Sequence, residues 1–327
     1  MFLGIDIAKN SFDVALIKDD RKPSHKVFAN TTIGHQQLLA WLHSHDAEIV
    51  HAALEATGTY GETLAAVLVT AGHTVSIVNP AQIKAFAQSQ LSRTKTDKAD
   101  AILIARFCQS YRPPAWTPQT PAVRELQALV RRLESLSEMF HMEKNRLEKN
   151  RLKAGGLTQT VANSIQEHLN FLETAIKQTR EQIKNHIDQD PFLKEQKELL
   201  VSIPGIADTT AAVLLAEIGD VSLFDSAGKV AAFAGLVPRI RQSGSSVRSH
   251  SRLSKIGTSR LRRALYFPAM VALRFNPLIQ ALGKRLKAKG KSKMLIIGAA
   301  MRKLLYLVYG ILKSAKPFDP DFASESA

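Results

Sequence analysis

The period of apolar and polar positions switches repeatedly along the chain. Phe2-Leu-Gly-Ile-Asp6-Ile-Ala-Lys9 is a short apolar run broken by one carboxylate, the signature of a buried strand. Ser11–Lys18 alternates, with Phe12, Val14 and Leu16 against Asp13, Ala15 and Ile17, so a second strand precedes a turn at Asp19-Asp20-Arg21. His25–Ala29 reads as a third. Asn30-Thr-Thr supplies an N-cap for a helix over Ile33–His45, spaced by Leu38, Leu39 and Leu42. Ile49–Leu54 is a fourth strand ending in Glu55. A helix over Gly61–Ala71 stops at Gly72, and His73–Val78 is a fifth strand closed by Asn79-Pro80. Helices over Ala81–Gln90 and Asp97–Ser110 follow. Three strands, then alternating helices and strands, predict a mixed sheet covered on both faces, the order of the α/β RNase H-like (RuvC-like) fold.

Pro113, Pro114, Pro118 and Pro121 mark a linker. Leu126, Leu129, Leu133, Leu136 and Phe140 then step by three and four. The pattern breaks at Gly155-Gly156 and resumes from Val161 through Ile165, Leu169, Leu172 and Ile176 to Ile187. The spacing predicts an antiparallel helical hairpin, either a projecting coiled-coil arm suited to dimerisation or an ordinary helix pair packed on a domain. After Asp190-Pro191, Leu199–Ile206 and the apolar helix Thr209–Ile218 read as a helix-hairpin-helix, in which backbone N–H groups meet a phosphate. A plain helix–turn–helix connection fits the same residues. Helices and basic loops continue to Lys316. The expected divisions are 1–112, 122–190, a mainly helical 195–318, and a frayed tail over 319–327.

Charge sharpens this picture. The net charge of +15 is carried unevenly. From Ser226 to Phe318 there are 20 Lys or Arg and no Asp or Glu, while the remainder holds 24 basic and 29 acidic residues. Such a polycation points to nucleic acid; without a regular amphipathic pattern it fits a membrane surface poorly. No apolar run is expected to span a bilayer, and no secretory signal is evident. The single cysteine, Cys108, excludes an intrachain disulfide and a cysteine-based zinc site, and fits a reducing cytosol.

The candidate chemistry is acidic and hydroxylic. Asp6 and Glu55 stand at ends of neighbouring predicted strands. Asp97 and Asp100, three apart at a helix start, share one face. Simple helix capping accounts for the latter pair equally well. Together the four suit two Mg²⁺ ions bracketing a phosphodiester, since hard cations take oxygen ligands. Gly235–Arg248 carries Ser243-Gly-Ser-Ser246 in the basic region. Small residues permit a tight loop with an exposed hydroxyl, which is either a phosphate contact or a nucleophile. His250 lies near in sequence only.

These residues also match a known family. Gly4-Ile5-Asp6, Glu55-Ala-Thr-Gly-Thr-Tyr60, Asn79-Pro80, Lys95-Thr96-Asp97-Lys98-Ala99-Asp100-Ala101, Ile203-Pro-Gly-Ile206, Phe233-Ala-Gly-Leu236 and Ser243–Arg248 span nearly the whole chain. In these motifs it resembles the bridge-RNA-guided DEDD transposases of bacterial insertion sequences, relatives of the Piv DNA invertase. The resemblance implies a RuvC-like domain, a coiled coil and a C-terminal transposase domain. It implies that Asp6, Glu55, Asp97 and Asp100 hold Mg²⁺, and that Ser243 becomes joined to DNA. It further implies composite sites shared between protomers, a dimer assembling to a tetramer, donor and target DNA as substrates, a noncoding bridge RNA, and a cytoplasmic, nucleoid-associated location. Arg239, Arg241, Arg248, Arg252, Lys255, Arg262 and Arg263 are the expected nucleic-acid contacts. Three other readings compete: a junction resolvase using metal-activated water, an actin-like ATPase, whose phosphate loops are missing, and a non-catalytic nucleic-acid binder.

Overall fold

The computed structural model describes residues 1–18, 22–56, 60–91, 96–151, 158–239, 242–243, 247–248 and 252–321. The chain divides into two compact units, Met1–Pro118 and Gln119–Ala327.

Among the described residues the first unit is a five-stranded mixed sheet with four helices. Its strands are β1 (Phe2–Ile7), β2 (Ser11–Ile17), β3 (Ser24–Ala29), β4 (His51–Glu55) and β5 (Thr74–Val78), in the order β3-β2-β1-β4-β5. β2 runs antiparallel to β1 and β3; β4 runs parallel to β1 and β5. Helices α1 (Thr32–His43) and α2 (Glu62–Thr70) lie in one core with Leu3, Ile5, Phe12 and Val14. Helices α3 (Pro80–Ser89) and α4 (Asp97–Tyr111) cover the other face. Thr31 caps α1 as the sequence predicts, accepting from Gly34 N; Asn79 also caps, accepting from Ala81 N ahead of Pro80. The expected turn at Asp19-Asp20-Arg21 lies outside the described residues.

The second unit is mainly helical. α5 (Pro121–Arg151) and α6 (Gln159–Gln189) form the expected hairpin; Gly155-Gly156, where the break was placed, falls outside the described residues. The hairpin projects less than its spacing suggests. Only its distal part stands as a separate cluster, with Leu147, Ile165 and Leu169 buried and Phe140 against them. Its base, from Val123 to Leu133 and at Ile183 and Ile187, belongs to the main core of the unit. Val161, taken as part of the seam, is 44% exposed.

α7 (Pro191–Val201) and α8 (Asp208–Ile218) flank the Ile203-Pro-Gly-Ile206 hairpin. Gly205 has φ +111°, and a Cβ there would stand 2.9 Å from the Pro268 carbonyl oxygen. α9 (Ala227–Phe233), α10 (Ser259–Phe275), α11 (Pro277–Ala288) and α12 (Lys293–Ser314) complete the unit. By length and composition α12, with 22 residues, could cross a membrane, which corrects the expectation that no run is long enough. It is instead a core helix: Leu304, Leu305 and Val308 are fully buried, and the helix packs on α9 and α10.

Between α9 and α10 the chain forms a ribbon rather than the expected loop. β6 (Pro238–Arg239) pairs with β9 (Arg252–Leu253), and β7 (Gln242–Ser243) pairs with β8 (Val247–Arg248), both antiparallel.

Candidate functional site

Gly4 lets α4 lie against β1. α4 crosses β1 so closely that a Cβ on Gly4 would lie 2.1 Å from the Ala101 oxygen and 2.2 Å from the Ala105 nitrogen. Side chains two apart on a strand share a face, so Asp6 points to the side that α4 covers. Cys108 Sγ lies 3.4 Å from the His51 oxygen, at the opposite end of the strands. α4 therefore runs counter to β1, and its N-terminal turn lies toward Asp6. From Ala101 back to Asp97 is about 6 Å of helix, and from Gly4 to Asp6 about 6.6 Å of strand. The distances match, and Asp97 and Asp100 stand over the end of the sheet that carries Asp6.

Strand register adds two more acids. Gly4 pairs with Ala53 and Ile5 with Leu54, so the next step sets Asp6 abreast of Glu55. On the other side Asp6 pairs with Asp13. Partners in a ladder point the same way, so Asp13, Asp6 and Glu55 form a row across β2, β1 and β4. Like charges in such a row repel unless cations or donors intervene. Asp13 is buried and its Oδ1 lies 2.7 Å from His25 Nε2. Reading the sequence missed Asp13 and His25. The alternation of Ser11–Lys18 does set Asp13 apart from Phe12 and Val14, but only the register sets it beside Asp6.

Asp97 is exposed, and Asp6, Glu55 and Asp100 are half-buried. Thr96 caps α4 by accepting from Ala99 N at 3.2 Å, and the helix dipole favours both acids in the first turn. Among the described residues no three carboxylate, His or Cys side chains stand close enough together to hold a metal ion. The donor chemistry nonetheless suits Mg²⁺: the four candidates offer carboxylate oxygens, with no sulfur or imidazole in the set. Thr57-Gly58-Thr59 and Lys95, parts of the flanking motifs, lie outside the described residues.

In the second unit the ribbon is tied down by Arg262. Its Nη1 donates to the carbonyl oxygens of Ala234 at 2.9 Å, Gly257 at 3.1 Å and Thr258 at 3.2 Å. Burial lowers the pKa of this guanidinium. The Phe233-Ala-Gly-Leu236 motif follows from this clamp. Gly235 has φ +67°, and a Cβ there would meet Arg262 Nη1 at 2.5 Å. Arg262 thus anchors the foot of the ribbon, an inward role that the sequence reading had directed toward nucleic acid.

Along the ribbon Arg239 pairs with Arg252, and Ser243 with Val247. Two exposed arginines facing each other across a ladder are unfavourable by themselves and are relieved by an anion. Lys255 is exposed with φ +57°. Arg263 is shared with Glu134 and Glu138 of α5, the latter accepting from Nη1 at 3.0 Å, and Arg260 Nε donates to Glu134 at 2.8 Å. Only the backbone of Ser243 and Arg248 is described; Arg241, Gly244–Ser246 and His250 lie outside the described residues.

Oxygen-only acids on one unit and a cation-lined ribbon on the other suit a protein that handles phosphodiesters. The chain belongs to the IS116/IS110/IS902 family of transposases. A family profile described as "Transposase" matches residues 3–153, and one described as "Transposase IS116/IS110/IS902 family" matches residues 197–284. Over 321 residues the chain is 39% identical to the pilin gene-inverting protein of Moraxella bovis, covering 97% of each. The pilin gene-inverting protein of Moraxella lacunata matches to the same extent. The transposase for insertion sequence element IS1328 of Yersinia enterocolitica is 25% identical over 220 residues, covering 59% of this chain and 62% of that protein.

Proposed function

We propose that this transposase is an RNA-guided DNA recombinase of cytoplasmic, nucleoid-associated location that moves or inverts a DNA segment through a covalent serine–DNA intermediate. The observation that carries it is the row of acids at the end of β1, brought under the N-terminus of α4 by the absence of a side chain at Gly4. Sheet order β3-β2-β1-β4-β5 with an antiparallel β2 supports a RuvC-like reading of the first unit.

Asp6, Glu55, Asp97 and Asp100 would hold Mg²⁺, which when bound supplies Lewis-acid stabilisation to a phosphodiester. Ser243 Oγ attacks the phosphorus, an Oγ–P bond forms, and the bond from phosphorus to the 3′ oxygen breaks. The serine proton ends on that oxygen, leaving a free 3′ hydroxyl and a 5′-phosphoserine. The ester conserves the phosphodiester for rejoining, so no nucleotide triphosphate is consumed. The cations of the ribbon hold the backbones of DNA and of a bridge RNA, while base pairing selects sequence. Carboxylates and serine come from different protomers of a tetramer.

Incubation with end-labelled DNA of the insertion element, its RNA and Mg²⁺ tests this. Wild type is expected to form a protein–DNA adduct, and Ser243→Ala and Asp100→Asn none. Mixing the two variants is expected to restore part of the activity, because mixed oligomers hold some intact composite sites. An adduct that persists in Ser243→Ala excludes this hydroxyl. Free cut ends without an adduct would favour a junction resolvase using metal-activated water.

A further inference from the structure

The outer face of α10 has a composition that neither a core helix nor an ordinary solvated helix shows. From Leu261 to Phe275 its exposed residues are Arg263, Phe267, Val271, Arg274 and Phe275. At about 100° per residue these five fall within roughly 120° of one face. Phe267 is 68% exposed, Val271 44% and Phe275 69%. A solvated face normally carries mixed charges. Here aromatic rings alternate with guanidinium groups, and no acid occurs from Ser226 to Phe318.

We propose that this face is a stacking platform for unpaired nucleotides of single-stranded DNA or RNA. Phe267 and Phe275 take base faces, and Arg274 takes the phosphates between them. Non-specific single-strand sites combine aromatic side chains that stack with bases and cations that track the backbone. The two rings are about 12 Å apart along the helix, a span of three to four stacked nucleotides at about 3.4 Å each. Arg274 makes no ion pair among the described residues, so its charge is available. The platform is rigid: on its buried side α10 abuts the hairpin at Gly205, where a Cβ would stand 2.9 Å from both the Pro268 oxygen and the Ala272 Cβ. Charge decides between possible occupants. The uncompensated charge on the face is Arg274, since Arg263 is paired with Glu134 and Glu138; a second protein would have to bring an acid to it, whereas a nucleic acid carries one per nucleotide.

The proposal rests on reading this unit as nucleic-acid-binding, and the test separates the two. Fluorescence anisotropy of the full-length protein is measured with labelled oligo(dT), with oligo(U), and with a duplex of equal length, at one salt concentration. The double variant Phe267→Leu, Phe275→Leu keeps apolar bulk and removes the rings. It is expected to lose about tenfold or more in affinity for single strands and little for the duplex. The double Tyr variant is expected to keep both affinities. Loss confined to oligo(U) or to oligo(dT) identifies RNA or DNA as the occupant. Undiminished single-strand affinity in the Leu variant overturns the platform. So does an equal loss on duplex, or a changed sedimentation state with intact affinity, which would mark a protein interface. Wild type that binds duplex but no single strand overturns the platform alone; wild type that binds neither overturns the wider reading as well.

Discussion

Gly4 and Asp6, two positions apart on one strand face, have opposite requirements. Gly4 must have no side chain. In Gly4→Ala the added Cβ would lie 2.1 Å from a backbone oxygen of α4, so the helix or strand must shift. The expected cost is about 3 kcal/mol or more, read as a lowered unfolding midpoint in urea; an unchanged midpoint would mean that α4 does not press on β1. Asp6 faces Asp13 across the ladder. Asp6→Asn is expected to abolish the adduct, because a neutral amide is a weaker ligand for a hard cation than a carboxylate. A variant that forms normal adduct would remove Asp6 from the site. Cys108, on the same helix, is buried and its thiol is pushed up to about 12 by burial. It is expected to resist a disulfide reagent at pH 8 in the native protein and to react on unfolding.

The hairpin and α10 are each amphipathic elements whose two ends or faces do different work. α5 and α6 carry one continuous apolar spacing, yet tertiary structure divides it. The base enters the main core and the tip stands apart. Leu126→Ala, at a fully buried base position, is therefore expected to cost about 3–4 kcal/mol, and Leu147→Ala at the tip distinctly less. Equal costs in chemical denaturation would mean that the hairpin is one independent arm. In α10 the faces diverge: Leu261, Leu265 and Ala269 are fully buried, while Phe267 and Phe275 are bare. Equal apolar character in the sequence thus hides two destinations.

Charge and histidine burial set the behaviour of the whole molecule. Because the 20 cations between Ser226 and Phe318 face no acids in that stretch, nucleic-acid affinity is expected to fall steeply as salt rises. A flat dependence in a salt titration would exclude this stretch as the binding surface. The first unit has a separate sensitivity. His35 and His73 have lowered pKa values because they are buried; His51 is lowered by burial, then by Arg112 and the N-terminus. These imidazoles are held neutral in the folded state. The unfolded chain takes up their protons at the ordinary value of 6.5 and the folded chain only below it. The stabilisation is present above pH 6.5 and lost as pH falls through the lowered values. Thermal melting of the first unit is expected to shift downward between neutrality and about pH 5; a constant midpoint would show that these histidines protonate without unfolding cost.

Local pattern determined the elements. Five strands, the hairpin and the helices were legible because hydrophobic period, caps and Gly or Pro stops are properties of neighbouring residues. Asp6, Glu55, Asp97 and Asp100 were legible as candidates because carboxylates interrupt apolar runs or crowd a helix start. Their relation was not legible. It depends on which strands pair and in what register, and on α4 lying over Gly4, facts that join residues nearly a hundred positions apart. For the same reason the sequence does not single out Asp13 and His25, the clamp of Arg262 on three carbonyls, or the ribbon of β6 to β9. Its ladders are two residues long, too short to show a period. Burial of α12 and exposure of Phe267 and Phe275 were likewise decided by tertiary structure. An apolar residue states only its preference to leave water, and the rest of the fold determines whether a surface exists to receive it.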